Sequence, residues 1–389
     1  LNVPIVDGVL AARISGYSSE RDGYTDNVFL GEDTRNVDRE GWRAKLLWNV
    51  TDDFRVKLTA DNHEQNMRND EGITLYSPAA LNNAAIFPVA LPPVSIGKYQ
   101  ENVEGATAEE VERYIFNIDW SFANHTLSTI SSREDNLTYL RSDRDETIAP
   151  GQVVAIHPVF GPISASTTEN TGILEIDTHE IQLASDFDGP FSYILGYYYQ
   201  NQDTASVTAI PPLFSGTSII KTDSNAFFGN VSFDFSDQWS VSLGIRRDED
   251  ERTGSNARVG ANHVEVFKET TYSAKLTYQY DADKMFYISH DKGFKSGTVN
   301  REFTTCRYAP PDYAGCLTAD QALVAPEIAY NYEAGIKSEW LDNSLRLNAA
   351  IFFTTFDDFQ VTETIPQSVS VISSNAAEVE AKGVEVEFT

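Results

Sequence analysis

Residues 325–361, APEIAYNYEAGIKSEWLDNSLRLNAAIFFTTFDDFQV, decide the fold. They divide into two long alternating segments, 329–340 and 344–356, around the turn Leu341-Asp342-Asn343. In the second segment Leu345, Leu347, Ala349, Ile351 and Phe353 share one face, and Arg346, Asn348 and Ala350 share the other. A period of two sets successive side chains on opposite faces of a strand. No helix-forming segment is available to cover the apolar face. Lipid covers it if the strands belong to an antiparallel transmembrane β-barrel.

The same rhythm extends in both directions. Alternation predicts about fourteen strands, near 9–17, 41–50, 53–63, 110–122, 124–135, 173–186, 190–202, 223–235, 238–251, 264–280, 284–292, 327–340, 344–359 and 376–388. Most reach the roughly ten residues that a tilted membrane strand needs. Short turns rich in Asp, Asn, Gly or Pro fall at Thr51-Asp52, Ala123-Asn124, Asp188-Gly189-Pro190, Ser236-Asp237, Asp281-Ala282-Asp283 and Leu341-Asp342-Asn343. These residue types tolerate turn dihedrals. Between them come longer links, 18–40, 64–109, 136–172, 203–222, 252–263, 293–326 and 360–375. A soluble sandwich has no reason to gather its short turns at one end, whereas an outer-membrane barrel has short periplasmic turns and long extracellular loops.

Aromatic placement agrees. Trp48, Trp120, Trp239 and Trp340 lie within a few residues of a short turn, at the height of a periplasmic interfacial girdle. Val241, Leu243 and Ile245, with Tyr193, Leu195 and Tyr197, are expected to face lipid. Ser240, Ser242, Arg246 and Asp248, the charges Arg55, Lys57, Glu333 and Lys337, and Glu385 and Glu387 are expected to line a wet lumen.

The chain has 389 residues and a formal net charge of −29, which argues against a nucleic-acid partner because phosphate needs the opposite sign. Aromatic residues make up 12%, too many for an acidic disordered chain. No apolar run reaches the length of a transmembrane helix. The opening Asn-Val-Pro-Ile-Val-Asp-Gly reads as a turn between strands, as in an internal segment of a longer precursor.

The six histidines are scattered, and no Walker loop, GxSxG, HExxH or Cys/His cluster occurs. No catalytic residue, metal site or cofactor is expected. Cys306 and Cys316 share one loop; in an oxidising compartment they can close a disulfide, and otherwise they are two unrelated thiols.

Several stretches resemble the barrel of TonB-dependent outer-membrane receptors. They are LAARISGYSSERDGYTDN (10–27), FFGNVSFDFSDQWSVSLGIRRDED (227–250), SHDKGFKSGTVN (289–300), the segment 325–361 and the final NAAEVEAKGVEVEF (375–388). The resemblance implies a barrel of about twenty-two strands, of which residues 1–389 hold about fourteen as one domain, with a plug domain before Leu1 and further strands after Thr389. It implies residence in the bacterial outer membrane, among lipid and lipopolysaccharide, and uptake of a scarce small-molecule ligand. An iron–siderophore chelate is the leading ligand, with haem, cobalamin or a glycan as alternatives. Energy would come from the inner-membrane TonB complex. Ligand contacts are expected in the loops 64–109, 136–172 and 293–326, with Lys295, Arg301 and Tyr308 as candidates. The competing readings are a passive porin and an outer-membrane adhesin or enzyme.

Overall fold

The computed structural model describes residues 1–69, 97–143, 153–157, 161–164, 167–210, 214–256, 261–300, 323–342, 344–364 and 371–389. The main sheet has fifteen strands: β1 (Asn2–Val6), β2 (Leu10–Arg21), β3 (Val37–Asn49), β4 (Phe54–Asn69), β5 (Gly105–Phe122), β6 (His125–Asp143), β7 (Thr167–Ser185), β8 (Phe191–Ile210), β9 (Phe214–Asp234), β10 (Trp239–Asn256), β11 (Ala261–Asp281), β12 (Lys284–Lys295), β13 (Glu327–Trp340), β14 (Leu345–Asp357) and β15 (Val379–Phe388). Each pairs antiparallel with its neighbours in sequence, so the order is an uncrossed meander from β1 to β15. This is a partial antiparallel membrane barrel; among the described residues its first and last strands are edges.

All fourteen expected strands are present, and one was missed. The opening residues, expected as a turn, form β1, which pairs with β2 from Asn2↔Arg13 to Val6↔Leu10. Two expected outer loops are also largely strand. β8 and β9 pair without interruption from Phe191↔Phe233 to Ile210↔Phe214, so most of 203–222 extends a tall hairpin. β10 and β11 likewise pair up to Asn256↔Ala261, within the expected loop 252–263. Their 18 to 21 residues exceed the 9–11 that cross a bilayer. The surplus forms two arms on the long-loop side.

The six expected short turns all lie at the opposite end. Ala123 and Asn124 have φ of 44° and 60°, and Leu341 and Asp342 have 56° and 53°. Positive φ at both central residues is what the tight two-residue hairpin at Ala123-Asn124 demands, whereas Leu341 and Asp342 lie in a longer turn between the paired Trp340 and Leu345. Near this end Trp120 packs on Phe122 at 4.6 Å and Trp239 on Tyr278 at 4.6 Å. Lys284 Nζ lies 4.6 Å from the Trp340 ring and donates to Asp281 at 2.8 Å, which lowers the carboxyl pKa of Asp281 in its turn.

Register fixes the faces. Directly opposite residues of an antiparallel pair point the same way. Val241↔Leu276, Leu276↔Ile288, Ile288↔Ala334, Ala334↔Ile351 and Ile351↔Val384 therefore form one apolar row across six strands. Val384 is 69%, Ile245 61% and Ile351 58% exposed, values that only a hydrocarbon solvent makes favourable over so broad an area. On the outer side this apolar band ends at Arg133, which binds Asp135 at 2.8 Å and Asp177 at 3.2 Å.

Candidate functional site

The opposite face is the lumen wall, and its residues are mainly polar. It also holds aromatic rings that simple alternation does not explain. Tyr17, Phe228, Tyr287 and Phe352 each lie over a glycine of the adjacent strand, respectively Gly41, Gly196, Gly335 and Gly383. A ring laid over a glycine fills the missing side chain and lets the wall curve. Three polar contacts then anchor the rings: the Tyr17 hydroxyl meets His63 Nδ1, the Tyr287 hydroxyl donates to Glu333, and Arg246 stands 5.6 Å from the Phe228 ring. Arg246 also donates to Asp248 at 2.8 Å.

Toward the first strands the wall is cationic. Arg13 on β2 faces Lys45 on β3, and Lys57 and Arg55 on β4 face Leu47 and Asn49. Above them Asp61 accepts from Arg113 at 2.9 Å and from Arg43 at 3.4 Å, and Arg113 also reaches Glu134 at 3.5 Å.

Besides a small hairpin of Val153–His157 with Gly161–Ser164, three small sheets brace the loops at the outer end. One joins Thr25–Asn27, Glu32–Thr34 and Lys98–Tyr99. Here buried Asn27 donates to the Glu101 carbonyl at 3.0 Å and accepts from the Phe29 and Leu30 amides. Exposed on this platform are Tyr24 and Phe29. The guanidinium carbons of Arg21 and Arg35 lie 5.1 and 5.9 Å from the Tyr24 ring.

The other two sheets pair Thr298–Val299 with Leu323–Val324 and Gln360–Thr364 with Val371–Asn375. Asn300 bonds both ways to the Ser373 backbone, at 2.7 and 2.9 Å, and Asn375 bonds both ways to Ala325, at 3.0 and 2.8 Å. Gln360 adds a bond to the Ser296 carbonyl at 3.0 Å. These amides clamp two outer loops together. Replacing buried Asn300 with Ala leaves the Ser373 backbone groups unpaired, at roughly 1–3 kcal/mol. Faster amide exchange confined to Val371–Asn375 is the expected readout; unchanged exchange would show the clamp to be idle.

Of the residues expected to contact ligand, Lys295 is the last residue of β12, exposed and opposite Glu327. Arg301, Tyr308, Cys306 and Cys316 lie outside the described residues. The Tyr24 cluster was missed, because it sits in the link 18–40 and its three members come together only through the loop's own sheet. A shallow groove lined by Val241, Leu276, Ile288, Ala334 and Ile351 lies on the lipid side and belongs to the membrane surface.

Taken together, the fold defines a membrane β-barrel wall with a polar interior and braced outer loops. The chain belongs to the family described as "TonB dependent receptor-like, beta-barrel", whose model matches residues 66–389. Over 67 residues, 16% of this chain and 8% of its relative, it is 37% identical to the ferric-pyoverdine 358 receptor of Pseudomonas putida. The ferric yersiniabactin uptake receptor of Yersinia pestis matches in structure at a TM-score of 0.73 and 17% identity, covering 100% of this chain and 55% of that one. The ferripyoverdine receptor of Pseudomonas aeruginosa matches at 0.71 and 13%, covering 100% and 50%. At these identities the likeness is one of fold. The chain spans about half the length of these solved structures.

Proposed function

We propose that this chain is one barrel unit of an outer-membrane receptor that captures an iron–siderophore chelate at its outer loops and imports it with energy from the TonB complex. The observation that carries this reading is the family match over residues 66–389, together with relatives that are receptors for ferric siderophores. The outer platform supports it: Tyr24 beside two guanidinium groups offers an aromatic, cationic surface suited to an anionic chelate. The surroundings are outer-membrane lipid and lipopolysaccharide, and the role is transport, with no catalytic residue.

The test is uptake of radio-iron chelates by cells that carry the whole protein as their sole uptake receptor, with and without a protonophore. Uptake abolished by the protonophore is expected. Uptake that continues undiminished would replace this reading with a passive porin, and binding without uptake would replace it with an adhesin.

A further inference from the structure

The wall splits between β11 and β12 just outside the membrane. β11 pairs with β10 along its whole outer length, from Asn256↔Ala261 inward, but with β12 only from Tyr272↔Lys292 inward. Beyond Lys292, β12 stays with β13 as far as Lys295↔Glu327. The chain then passes to the inner face of the arm, where Val299 lies over Gly254 and Phe267 over Gly297. Residues 261–271 of β11 are therefore a free sheet edge, about 35 Å long at ~3.3 Å per residue. Trp239 of the inner girdle lies opposite Tyr278, and Lys268 is ten residues further out on β11. Ten residues at a tilt of ~40° climb about 25 Å, the height of the apolar band. Beyond Lys268 the edge stands in water on the outer side.

Strand parity identifies the free groups. The Gln279 amide donates to the Gln238 carbonyl at 2.7 Å, so odd-numbered residues of β11 turn their backbone groups to β10. Even-numbered residues turn theirs to the open side. The Thr270 amide is capped by the Glu269 carboxylate at 2.8 Å, and Lys292 bonds the same carboxylate at 2.6 Å where the strands part. Among the described residues the N–H and C=O of Val264, Val266 and Lys268 have no partner. A side chain at Gly293, on the β12 bank of the split, would meet no atom within 4 Å. Exposed sheet edges are ordinarily blunted by proline, a bulge or charge. The edge strand β1 has Pro4 and a register shift beside it, whereas residues 261–271 have neither. Their one lysine, Lys268, is held by Glu249 at 2.8 Å.

We infer that this edge receives an extended, basic segment of another protein as an added strand. The inference goes beyond uptake and stands whatever the barrel imports. In such docking, main-chain bonds give the affinity and alternate side chains the specificity. Val264 is 53% and Val266 39% exposed on the outward face, and both suit apolar residues directly opposite. Exposed Glu251 lies opposite Val266 on β10, and Glu265 projects from the inward face. With a net charge of −29 around them, these carboxylates favour lysine or arginine on the incoming strand. A second copy does not fit the place. Two copies meeting at this edge in one membrane are related by an axis along its normal, so strands tilted ~40° cross at about 80° and form no ladder.

The experiment uses the whole protein in lipid nanodiscs and a fluorescent nine-residue peptide that alternates valine and lysine. One form is N-methylated at every valine and another at every lysine. In the docked strand the valines face outward beside Val264 and Val266, and their N–H groups point at β11. Methylation at valine should abolish binding, and methylation at lysine should leave it unchanged. Bound peptide should slow amide exchange at Val264, Val266 and Lys268. Exchange at Glu265 and Phe267, whose amides already face β10, should not change. Val266→Pro removes a free N–H without touching the β10 ladder and should weaken binding at least about tenfold, the equivalent of one or two main-chain bonds. Val266→Thr keeps the backbone and should bind as the wild type does.

Equal binding of the two methylated peptides would reduce the contact to charge alone and overturn the inference. So would a wild-type protein that binds no form of the peptide, or protection that spares the even-numbered amides. The methylated pair decides the matter even where Val266→Pro fails to fold, and none of these results bears on the proposed uptake.

Discussion

Gly335→Val is expected to leave most of the protein unfolded under conditions where the wild type is fully folded. A Cβ at position 335 would sit 2.7 Å from Cε1, Cζ and the hydroxyl oxygen of Tyr287, so the ring must move. Overpacking of this kind costs about 1–3 kcal/mol. The displaced ring also gives up its hydrogen bond to the Glu333 carboxylate, a charged bond worth about 1.5–3 kcal/mol, and its place 4.8 Å from Lys275 Nζ. The two losses fall on one junction of β11, β12 and β13. Urea titration in lipid, read by the slower gel mobility of unfolded barrels after mild treatment, measures the shift. The double replacement Gly335→Val/Tyr287→Ala should recover the overpacking share and leave the hydrogen-bond share lost. A single variant as stable as the wild type would mean that the ring does not hold the wall.

Much of the fold could be read from the sequence because lipid and water impose the same rule on every membrane strand independently. In β10, Val241, Leu243 and Ile245 announce one solvent, and Ser240, Ser242 and Arg246 the other. Where both faces meet water the rule lapses. Residues 203–210 and 214–222 extend β8 and β9 outside the membrane; DTASVTAI alternates only through the small residues Ala205, Val207 and Ala209, and FSGTSIIKT carries no sustained alternation. β1 was lost because it is short and holds Pro4, a residue suited to a sheet edge. The inner rings Tyr17, Phe228, Tyr287 and Phe352 interrupt the polar face, and only the register sets each over its glycine.

The candidate site was less legible. Lys295, Arg301 and Tyr308 were singled out by residue type within one long loop, whereas Arg21, Tyr24 and Arg35 meet through the pairing of Thr25–Asn27 with Glu32–Thr34. The cationic part of the wall was written in plain view as Arg43 and Lys45 on one strand and Arg55 and Lys57 on the next. Its continuity is a property of register, because Arg13 joins it only by lying opposite Lys45.

Ile351 tests the assignment of the two solvents directly. It lies in the middle of β14, between Ala334 and Val384 on the outward face, six residues from Leu345 at the short-turn end. That places it near the centre of the hydrocarbon, where an arginine costs about 2–4 kcal/mol. Ile351→Arg should therefore lower stability in lipid by this amount. Ala350, one residue away, faces the lumen with Glu385 directly opposite. Ala350→Arg places the same charge in water beside a carboxylate and should stay within ~0.5 kcal/mol of the wild type. The two variants differ by one position along the chain and share charge, size and depth. Paired urea titrations in lipid vesicles read the difference. Equal effects would mean that the faces of this wall do not meet different solvents, and the membrane barrel would fail with them. In a soluble sheet with Ile351 on a wet surface, its replacement by arginine would be the milder change. The order of the two variants is therefore what the barrel requires, and a reversed order is what a soluble fold would give.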